Sequence, residues 1–213
     1  MEQGYPVSLR LRGRLCVVVG GGTVATRKVE LLLRCGAQVR VVAPRLARGL
    51  AELAAQGKIQ AVRRRFRPED VKGAFLLIAA SNDAQTNAAA ARAARAAGAL
   101  VNVVDAPELC DFFVPAVADL GGVVVAISTS GKSPALARWL RERLEEQYGG
   151  ALGELAEMLG EVREELRRKF PSAAKRRAVL RRIVNSEALD LLREGRRDEA
   201  RERIARCISS QLG

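Results

Sequence analysis

The sequence predicts an α/β fold with a doubly wound parallel sheet, followed by a hairpin and an all-helical C-terminal region. Three observations lead to this prediction. Strand and helix signals alternate five times in the first part of the chain, as in successive right-handed βαβ crossovers. The run FLLIAA at residues 75–80 is apolar throughout, which is typical of a parallel strand buried on both faces. From about Gly149 onward the strand signals cease.

Five strands are predicted where short apolar runs contain many β-branched residues. They cover residues 15–19, 38–43, 59–62, 75–80 and 100–104. The segments between them show helical spacing of apolar residues, and helices are expected to end at Gly36, Gly57 and Gly98. The sequence Ser-Asn-Asp at residues 81–83 offers N-caps for an alanine-rich helix.

After Asp105 the alternation of strand and helix changes. Two strands that meet around residues 119–122 predict an antiparallel hairpin, and Ser133 followed by Pro134 predicts the start of a helix. Beyond this helix, apolar residues at helical spacing predict amphipathic helices, whose stripes need a partner such as a second copy of the chain. The expected parts are a dinucleotide-binding domain, a dimerisation region and a helical domain, at residues 1–112, 113–148 and 149–213.

The chain is strongly basic, with 36 Lys and Arg against 24 Asp and Glu and a net charge of +12. Residues 1–150 carry 21 basic and 13 acidic side chains and residues 151–213 carry 15 and 11, so the excess is spread over the chain. This balance favours an anionic partner, and solvated helix faces explain it equally well. Aromatic residues make up only 4%, which argues against a nucleic-acid partner.

Composition also bears on location and on metal binding. No apolar run approaches the roughly 20 residues of a membrane span, and the first residues lack the apolar core of a secretory signal. A cytoplasmic protein without a membrane partner is therefore expected. The four cysteines form no close pair and the chain has no histidine, so no metal site is expected. The cysteines are expected to be buried small hydrophobes.

The stretch VVVGGGTVATRK places three glycines between a strand and a helix. In this setting Gly20 allows a tight turn, Gly22 lets a pyrophosphate approach the backbone, and Ala25 keeps the helix close to the strand. The stretch predicts a Rossmann-type dinucleotide site, with a structural turn as the alternative. The second strand is followed by Pro44 and Arg45 rather than an acid, so backbone groups are left to hold the ribose, and Arg45 keeps NADP open.

The residues that the chain lacks narrow its chemistry. It has no histidine, and neither Tyr5 nor Tyr148 is followed four residues later by Lys, so the usual groups that move an alcohol proton are missing. A carboxylate is the best proton carrier that remains. Asp105 comes just past the fifth strand, where open α/β sheets bind their ligands. A simple turn residue before Pro107 is the alternative interpretation of Asp105.

Several motifs in a fixed order together resemble one known family. They are VVVGGGTVATRK, LIAASND, NVVDAP, FFVPA and ISTSGKSPALARWLRERLE. In combination they resemble the dehydrogenase and chelatase module of siroheme synthases, a family that includes stand-alone precorrin-2 dehydrogenases. The similarity runs from about Pro6 to Leu144 and continues more loosely through the helical tail. It implies a homodimer that oxidises precorrin-2 to sirohydrochlorin with NAD in siroheme biosynthesis.

The resemblance also implies which residues form the site. Asp105 of the NVVDAP run is implied as the catalytic base or as the group that orients the ring nitrogens. Together with the glycine loop, the expected cofactor contacts are Gly20, Gly21, Gly22, Thr23, Val24, Ala25, Pro44, Arg45 and Ser81. The expected contacts to the polyanionic tetrapyrrole are Asn102, Ser128, Thr129, Ser130, Gly131 and Lys132. Thr129 departs from the serine that relatives often have.

Two questions stay open in the sequence. In several members of the family Fe²⁺ insertion follows in the same site, and Asp105 is available to remove the ring protons, but no cluster of His or Cys offers a place for the metal. The alternative function is a nucleotide-sensing regulatory module without catalysis. It explains the glycine loop and leaves Asp105 and the STSGKSP run without a role.

Overall fold

The computed structural model describes residues 4–210, and their contacts divide the chain into two compact units. The first unit ends at Val114 and the second begins at Pro115. The predicted boundaries after residues 112 and 148 stay a prediction.

The first unit is a five-stranded parallel sheet with the strand order β3-β2-β1-β4-β5. Its strands are β1 (Leu15–Val19), β2 (Gln38–Val42), β3 (Gln60–Val62), β4 (Leu76–Ala79) and β5 (Leu100–Val103). Its helices are α1 (Thr23–Arg34), α2 (Arg48–Ala55) and α3 (Ala84–Ala96), with short 3₁₀ turns at Pro68–Val71 and Pro107–Leu109. The order reverses between β1 and β4, so the predicted doubly wound Rossmann-type sheet is confirmed.

Both faces of this sheet are buried, as its continuous apolar strands predict. Val17 of β1 belongs to the core that contains the buried alanines of α3. Its neighbour Val18 belongs to the core that contains the buried residues of α1 and α2. Alternate residues of one strand therefore fill two different cores.

A buried ion pair fixes the segment after β3. Asp70 is 5% exposed, and its carboxylate accepts two hydrogen bonds from the Arg64 guanidinium at 2.7 and 2.8 Å and one from the Arg67 N–H at 2.8 Å. Arg40 donates to the Asp70 carbonyl at 2.8 Å. Burial raises the pKa of the Asp70 carboxyl, but the donors from Arg64 and Arg67 outweigh it and hold the pKa below its ordinary value.

The second unit begins with an antiparallel hairpin of β6 (Ala116–Leu120) and β7 (Val123–Ile127). Its turn contains Gly121, whose carbonyl oxygen would lie 1.9 Å from a Cβ placed on Gly153. A side chain at position 153 is therefore excluded, and the hairpin packs directly on the backbone of the helix that carries Gly153.

Five helices complete the second unit: α4 (Pro134–Tyr148), α5 (Ala151–Lys169), α6 (Ala173–Val184), α7 (Ala188–Arg193) and α8 (Arg197–Ser209). One core cluster joins the last four, and it includes Leu155, Met158, Leu166, Val179, Ile183, Leu192 and Ile204. The predicted hairpin and all-helical region are confirmed. Across residues 4–210, no helix is both long enough and apolar enough to cross a membrane.

The positive charge is less evenly spread than the halves of the sequence indicate. Residues 163–186, which include the end of α5 and all of α6, carry nine basic and two acidic side chains. No stretch of similar length outside this segment in the second unit holds as much excess positive charge, because acidic residues largely balance the basic ones in α7 and α8.

The expectation that the cysteines are buried hydrophobes is only partly right. Cys16 and Cys207 are buried, and all four cysteines are free thiols. Cys35 is exposed because it is the C-cap of α1, where the side chain leaves the packed face of the helix. Cys110 is half-buried and hydrogen-bonded through its sulfur.

Candidate functional site

The candidate site lies at the carboxyl edge of the sheet in the first unit. Because β1, β4 and β5 are parallel and adjacent, the segments that follow them leave the sheet at one edge. Gly20 follows β1, Ser81 follows β4 and Asp105 follows β5. The topology therefore brings a predicted cofactor loop and the predicted catalytic residue to the same edge.

The glycine loop packs against two neighbouring strand ends. Gly20 has a φ of 127°, and a Cβ there would lie 2.4 Å from the Ala80 carbonyl oxygen. A Cβ on Gly21 would lie 1.9 Å from the Arg45 carbonyl oxygen. Both positions therefore require glycine. A Cβ on Gly22 would meet no atom within 4 Å, so the backbone of Gly22 borders open space.

Helix α1 begins directly after this open backbone, and its N-terminus suits an anion. The N-cap residue Gly22 supplies no side-chain cap, and the first turn contains no acidic residue. The N–H groups of the first turn have no acceptor within the helix, so they and the helix dipole favour a bound anion. Ala25 is fully buried and holds the helix against the sheet, while Thr23 and Val24 are exposed. These residues fit the pyrophosphate of a dinucleotide.

The loop after β2 borders the glycine loop. The Gly21 carbonyl accepts a hydrogen bond from the Ala47 N–H at 2.7 Å, which fixes the two loops to each other. Pro44 and Arg45 are both exposed. A ribose at this position would meet backbone groups and a guanidinium rather than a carboxylate.

Ser81 is held in place by a buried asparagine. Asn87 is 7% exposed, and its Oδ1 accepts hydrogen bonds from the Ser81 hydroxyl at 2.7 Å and the Ser81 N–H at 3.1 Å. Its Nδ2 donates to the Ser81 carbonyl at 2.9 Å. The same peptide, from Ala80 to Ser81, packs against Gly20. Asn87 therefore orients backbone that contacts the glycine loop.

Asn87 is absent from the residues that the sequence predicts for the site. The available signal is its position inside the alanine-rich helix α3, because asparagine is a poor helix former and needs a reason to be there.

Asp105 lies in a strained turn and its carboxylate is free. Its φ is 60°, in the left-handed region that residues other than glycine rarely adopt. The side chain is exposed, and it accepts no hydrogen bond from any residue between 4 and 210. In the described chain, only Ser130 shares a positive φ with Asp105 among the residues other than glycine, and Ser130 is also a predicted site residue.

Asn102 is buried on β5 and has a structural contact. It is 7% exposed, and its Nδ2 donates to the Phe112 carbonyl at 2.9 Å. The same nitrogen lies 3.6 Å from the sulfur of Cys110. The amide nitrogen of Asn102 therefore holds the chain that returns along β5, and a contact between Asn102 and the substrate would be left to its Oδ1.

The predicted hydroxyl and glycine loop lies in the second unit, between β7 and α4. The Ser130 N–H donates to the Ser128 hydroxyl at 3.2 Å. The Thr129 hydroxyl accepts from the Ser133 N–H at 3.1 Å, a contact that a serine would make equally well. The exposed residues of the loop are Ser128, Gly131 and Lys132. Within residues 4–210, no three His, Cys, Asp or Glu side chains are grouped so that they could hold a metal ion.

Three family models match successive parts of the chain. The model described as "Putative NAD(P)-binding" matches residues 7–116, which is more than half of the chain. The model described as "Sirohaem biosynthesis protein central" matches residues 121–147, and that described as "Sirohaem synthase dimerisation region" matches residues 151–208.

Individual relatives agree with these matches. The siroheme synthase of Methylobacillus flagellatus is 40% identical over 206 residues, which are 97% of this chain and 44% of that protein. The siroheme synthase of Methylococcus capsulatus is 44% identical over 199 residues, which are 93% of this chain and 42% of that protein. The chain thus spans less than half the length of these curated relatives.

A solved structure resembles nearly the whole chain. It is that of SirC, precorrin-2 dehydrogenase, which is 29% identical with a TM-score of 0.75 and covers 95% of this chain and 100% of its own. The chain therefore belongs to the family described as "Putative NAD(P)-binding", whose model matches residues 7–116, and over nearly its whole length it is similar to siroheme synthases and to SirC, precorrin-2 dehydrogenase.

Proposed function

We propose that this chain oxidises precorrin-2 to sirohydrochlorin with NAD as the acceptor, as a step of siroheme biosynthesis in the cytoplasm. The proposal is supported by the siroheme synthases among its relatives and by its likeness to a structure named precorrin-2 dehydrogenase. None of these relatives carries the name of a regulatory module, so the nucleotide-sensing alternative has no support from them.

One observation of the site carries the proposal. Asp105 presents a free carboxylate from a strained turn at the same sheet edge as the glycine loop. Strained backbone outside glycine is concentrated at functional sites, because it persists only where the surroundings enforce it. Aspartate adopts this region more readily than most residues, and the conformation gives its carboxylate a fixed position at the edge.

The proposed reaction needs few groups from the protein. NAD, when bound, supplies the acceptor for the hydride that leaves the substrate. Gly22 and the uncapped start of α1 would hold the pyrophosphate, and the backbone at Pro44 and Arg45 would hold the adenosine ribose. Asp105 would accept the proton that leaves the macrocycle, or orient the ring nitrogens. No alcohol is activated, which agrees with a chain that has no histidine.

The choice of NAD over NADP is part of the proposal. The guanidinium of Arg45 would tolerate a 2′-phosphate, but the family resemblance, in which an acid-free second strand occurs with NAD, favours the unphosphorylated cofactor. Titration of the protein with NADH and with NADPH, followed by cofactor fluorescence, tests this choice. Tighter binding of NADPH would contradict it.

The substrate class agrees with the charge of the protein. Precorrin-2 carries eight carboxylates, and the chain carries a net charge of +12. We assign Lys132, which is exposed in the hydroxyl and glycine loop, to the recognition of these carboxylates together with Ser128, Thr129, Ser130 and Gly131.

An anaerobic assay tests the proposed function directly. Purified protein is supplied with precorrin-2 and NAD, and the appearance of NADH and of sirohydrochlorin is followed by absorbance. The wild-type protein is expected to form both products together. Asp105→Asn is the matched control, because it keeps the size of the side chain and removes its charge, and it is expected to lose turnover by at least about a hundredfold. Absence of both products with folded wild-type protein would overturn the proposal.

Iron insertion at the same site needs its own measurement. A chelatase has to remove two N–H protons from the macrocycle, and Asp105 is the carboxylate that the sheet edge offers for this. Fe²⁺ would enter as a substrate rather than as a bound cofactor. Anaerobic incubation of the protein with sirohydrochlorin and Fe²⁺ decides the question, since a rate equal to the uncatalysed one would restrict the protein to dehydrogenation.

We also propose that the chain acts as a homodimer. The dimerisation-region match at residues 151–208 supports this, as do large apolar side chains that are about half exposed or more. In the second unit these are Val124, Leu136, Trp139 and Val184. Light scattering on the purified protein is expected to give twice the mass of 23.0 kDa, and a monomer at micromolar concentration would contradict the proposal.

A further inference from the structure

The chain after Asp105 turns back and covers the free edge of β5, which is the last strand of the sheet. Val101 points its N–H and carbonyl away from β4. The Asp111 N–H donates to the Val101 carbonyl at 2.8 Å, and the Val101 N–H donates to Asp111 Oδ2 at 3.0 Å. Arg95 of α3 pairs with Asp111 at 3.0 Å. One residue thereby replaces a missing neighbouring strand at Val101.

Cys110 covers the backbone of Val103, the next residue of β5 that faces away from β4, and its sulfur makes both contacts. The Val103 N–H donates to the Cys110 sulfur at 3.1 Å, and the thiol lies 3.2 Å from the Val103 carbonyl oxygen. The thiol also lies 3.4 Å from the carbonyl oxygen of Ala106. Asp105 stands between Val103 and Ala106, so a single sulfur atom contacts the backbone on both sides of the strained turn.

We infer that Cys110 is a positioning residue that holds the Asp105 turn in the conformation needed for the proposed reaction. A thiol is a weak donor and acceptor, but here it satisfies backbone groups of Val103, which is buried at the start of the turn. A non-glycine residue with positive φ persists only while its surroundings hold it. Within the turn the Ala106 N–H reaches the Val103 carbonyl only at 3.4 Å, and the Cys110 sulfur adds side-chain contacts to the same two residues on either side of Asp105. The effect of Cys110 on catalysis rests on the proposed function. Its effect on the order of the turn rests on the contacts alone.

Amide exchange tests the order of the turn without reference to activity. Cys110→Val replaces the thiol by an apolar side chain that is one heavy atom larger and removes both donor and acceptor. By NMR, the Val103 amide is expected to lose at least about tenfold in protection, because its acceptor is gone. Cys35→Val is the matched control, since Cys35 lies on α1 away from β5, and it is expected to leave the Val103 amide unchanged. Unchanged protection in Cys110→Val would overturn the inference.

A double-mutant cycle tests the action through Asp105. In the wild-type background, Cys110→Val is expected to lower kcat by about ten- to a hundredfold with little change in KM for NAD, and Cys110→Ser is expected to recover part of kcat. In the Asp105→Asn background, Cys110→Val is expected to cost nothing further. An equal loss in both backgrounds would overturn the positioning role. A wild-type protein without turnover would count against the proposed function, and the amide exchange would still decide whether Cys110 holds the turn.

Discussion

One ion-pair cluster from each unit of the molecule shows a different way of holding charge. In the first unit, the carboxylate of Asp70 is buried and accepts three hydrogen bonds from two neighbouring residues. In the second unit, Arg196 pairs with Glu194 at 2.8 Å and with Glu199 at 2.6 Å, and the three side chains are 48%, 59% and 55% exposed. Water therefore competes for the charges of Arg196, Glu194 and Glu199, whereas the carboxylate of Asp70 is largely shielded from it.

The backbone differs in the same direction. At the sheet edge of the first unit, Gly20 and Gly21 leave no space for a side chain, and Asp105 is strained. The helices of the second unit are fixed mainly by an apolar core that leaves most surface positions unconstrained. Single substitutions should therefore have large effects at the sheet edge and small ones on the exposed faces of the helices, away from the core and from Gly153.

The largest effect is expected for Asp105→Gly. The variant loses the carboxylate, so turnover should fall by at least about a hundredfold. Glycine adopts a φ of 60° without strain, so the melting temperature should stay the same or rise. Activity assays and thermal unfolding of the same preparation measure both quantities. Retained activity would remove Asp105 from the chemistry, and a marked loss of stability would show that its side chain is structural.

The next largest effect is expected for Asp70→Ala, which leaves Arg64 without its partner and should cost about 3 kcal/mol of unfolding free energy. The pKa of Asp70 is lowered in the folded state, so its contribution is present above the unfolded pKa and is lost as the pH falls through the folded one. Wild-type stability should therefore decline below about pH 4, and the variant should decline less. Denaturant unfolding between pH 3 and 7 measures this, and parallel curves would contradict it.

A smaller but site-specific effect is expected for Gly21→Ala. Its Cβ would lie 1.9 Å from the Arg45 carbonyl oxygen, so the loops must separate, at a cost of about 1 to 3 kcal/mol and with weaker NADH binding. Gly22→Ala is the matched control, because its Cβ meets no atom within 4 Å. This control should keep its stability and lose NADH affinity. Equal stability of the two variants in denaturant would show that the glycine loop adapts.

The smallest effect is expected for Glu199→Gln on α8. Hydrogen bonds from Arg196 lower the pKa of the Glu199 carboxyl, yet the pair is exposed and screened by salt. The melting temperature should not change measurably in 0.15 M salt. A clear decrease would show that ion pairs of the helical unit contribute as much as the buried pair of the sheet unit.

Sequence patterns were sufficient for the features that depend on neighbours along the chain. Apolar runs predict the five strands, and the strand ends predict that Gly20 and Asp105 share an edge. Ser133 is the N-cap of α4 as predicted, and its hydroxyl accepts from the Leu136 N–H at 3.2 Å. The strands and the cap depend on residues a few positions apart, and the shared edge follows once the strands are taken as parallel.

Two of the missed features depend on pairings between distant parts of the chain, and the third depends on a contact across a strand end and a helix start. Gly21 requires glycine because of the Arg45 carbonyl, which belongs to a different strand end. Cys110 looks like a small hydrophobe in the sequence, and only the return of the chain along β5 brings its sulfur to Val103. Asn87 acts on Ser81 six positions earlier, across a strand end and a helix start.

The covering of β5 also affects how the protein behaves among other chains. An exposed strand edge is a template on which a strand of another molecule adds, and this is a common start of aggregation. Along β5 the outward groups of Val101 and Val103 are taken by Asp111 and Cys110. At the opposite edge, β3 has only three residues and offers few groups to a further strand. The sheet thus resists strand addition at both edges. Asp111 and Cys110 occupy the outward backbone groups of β5, and β3 is short.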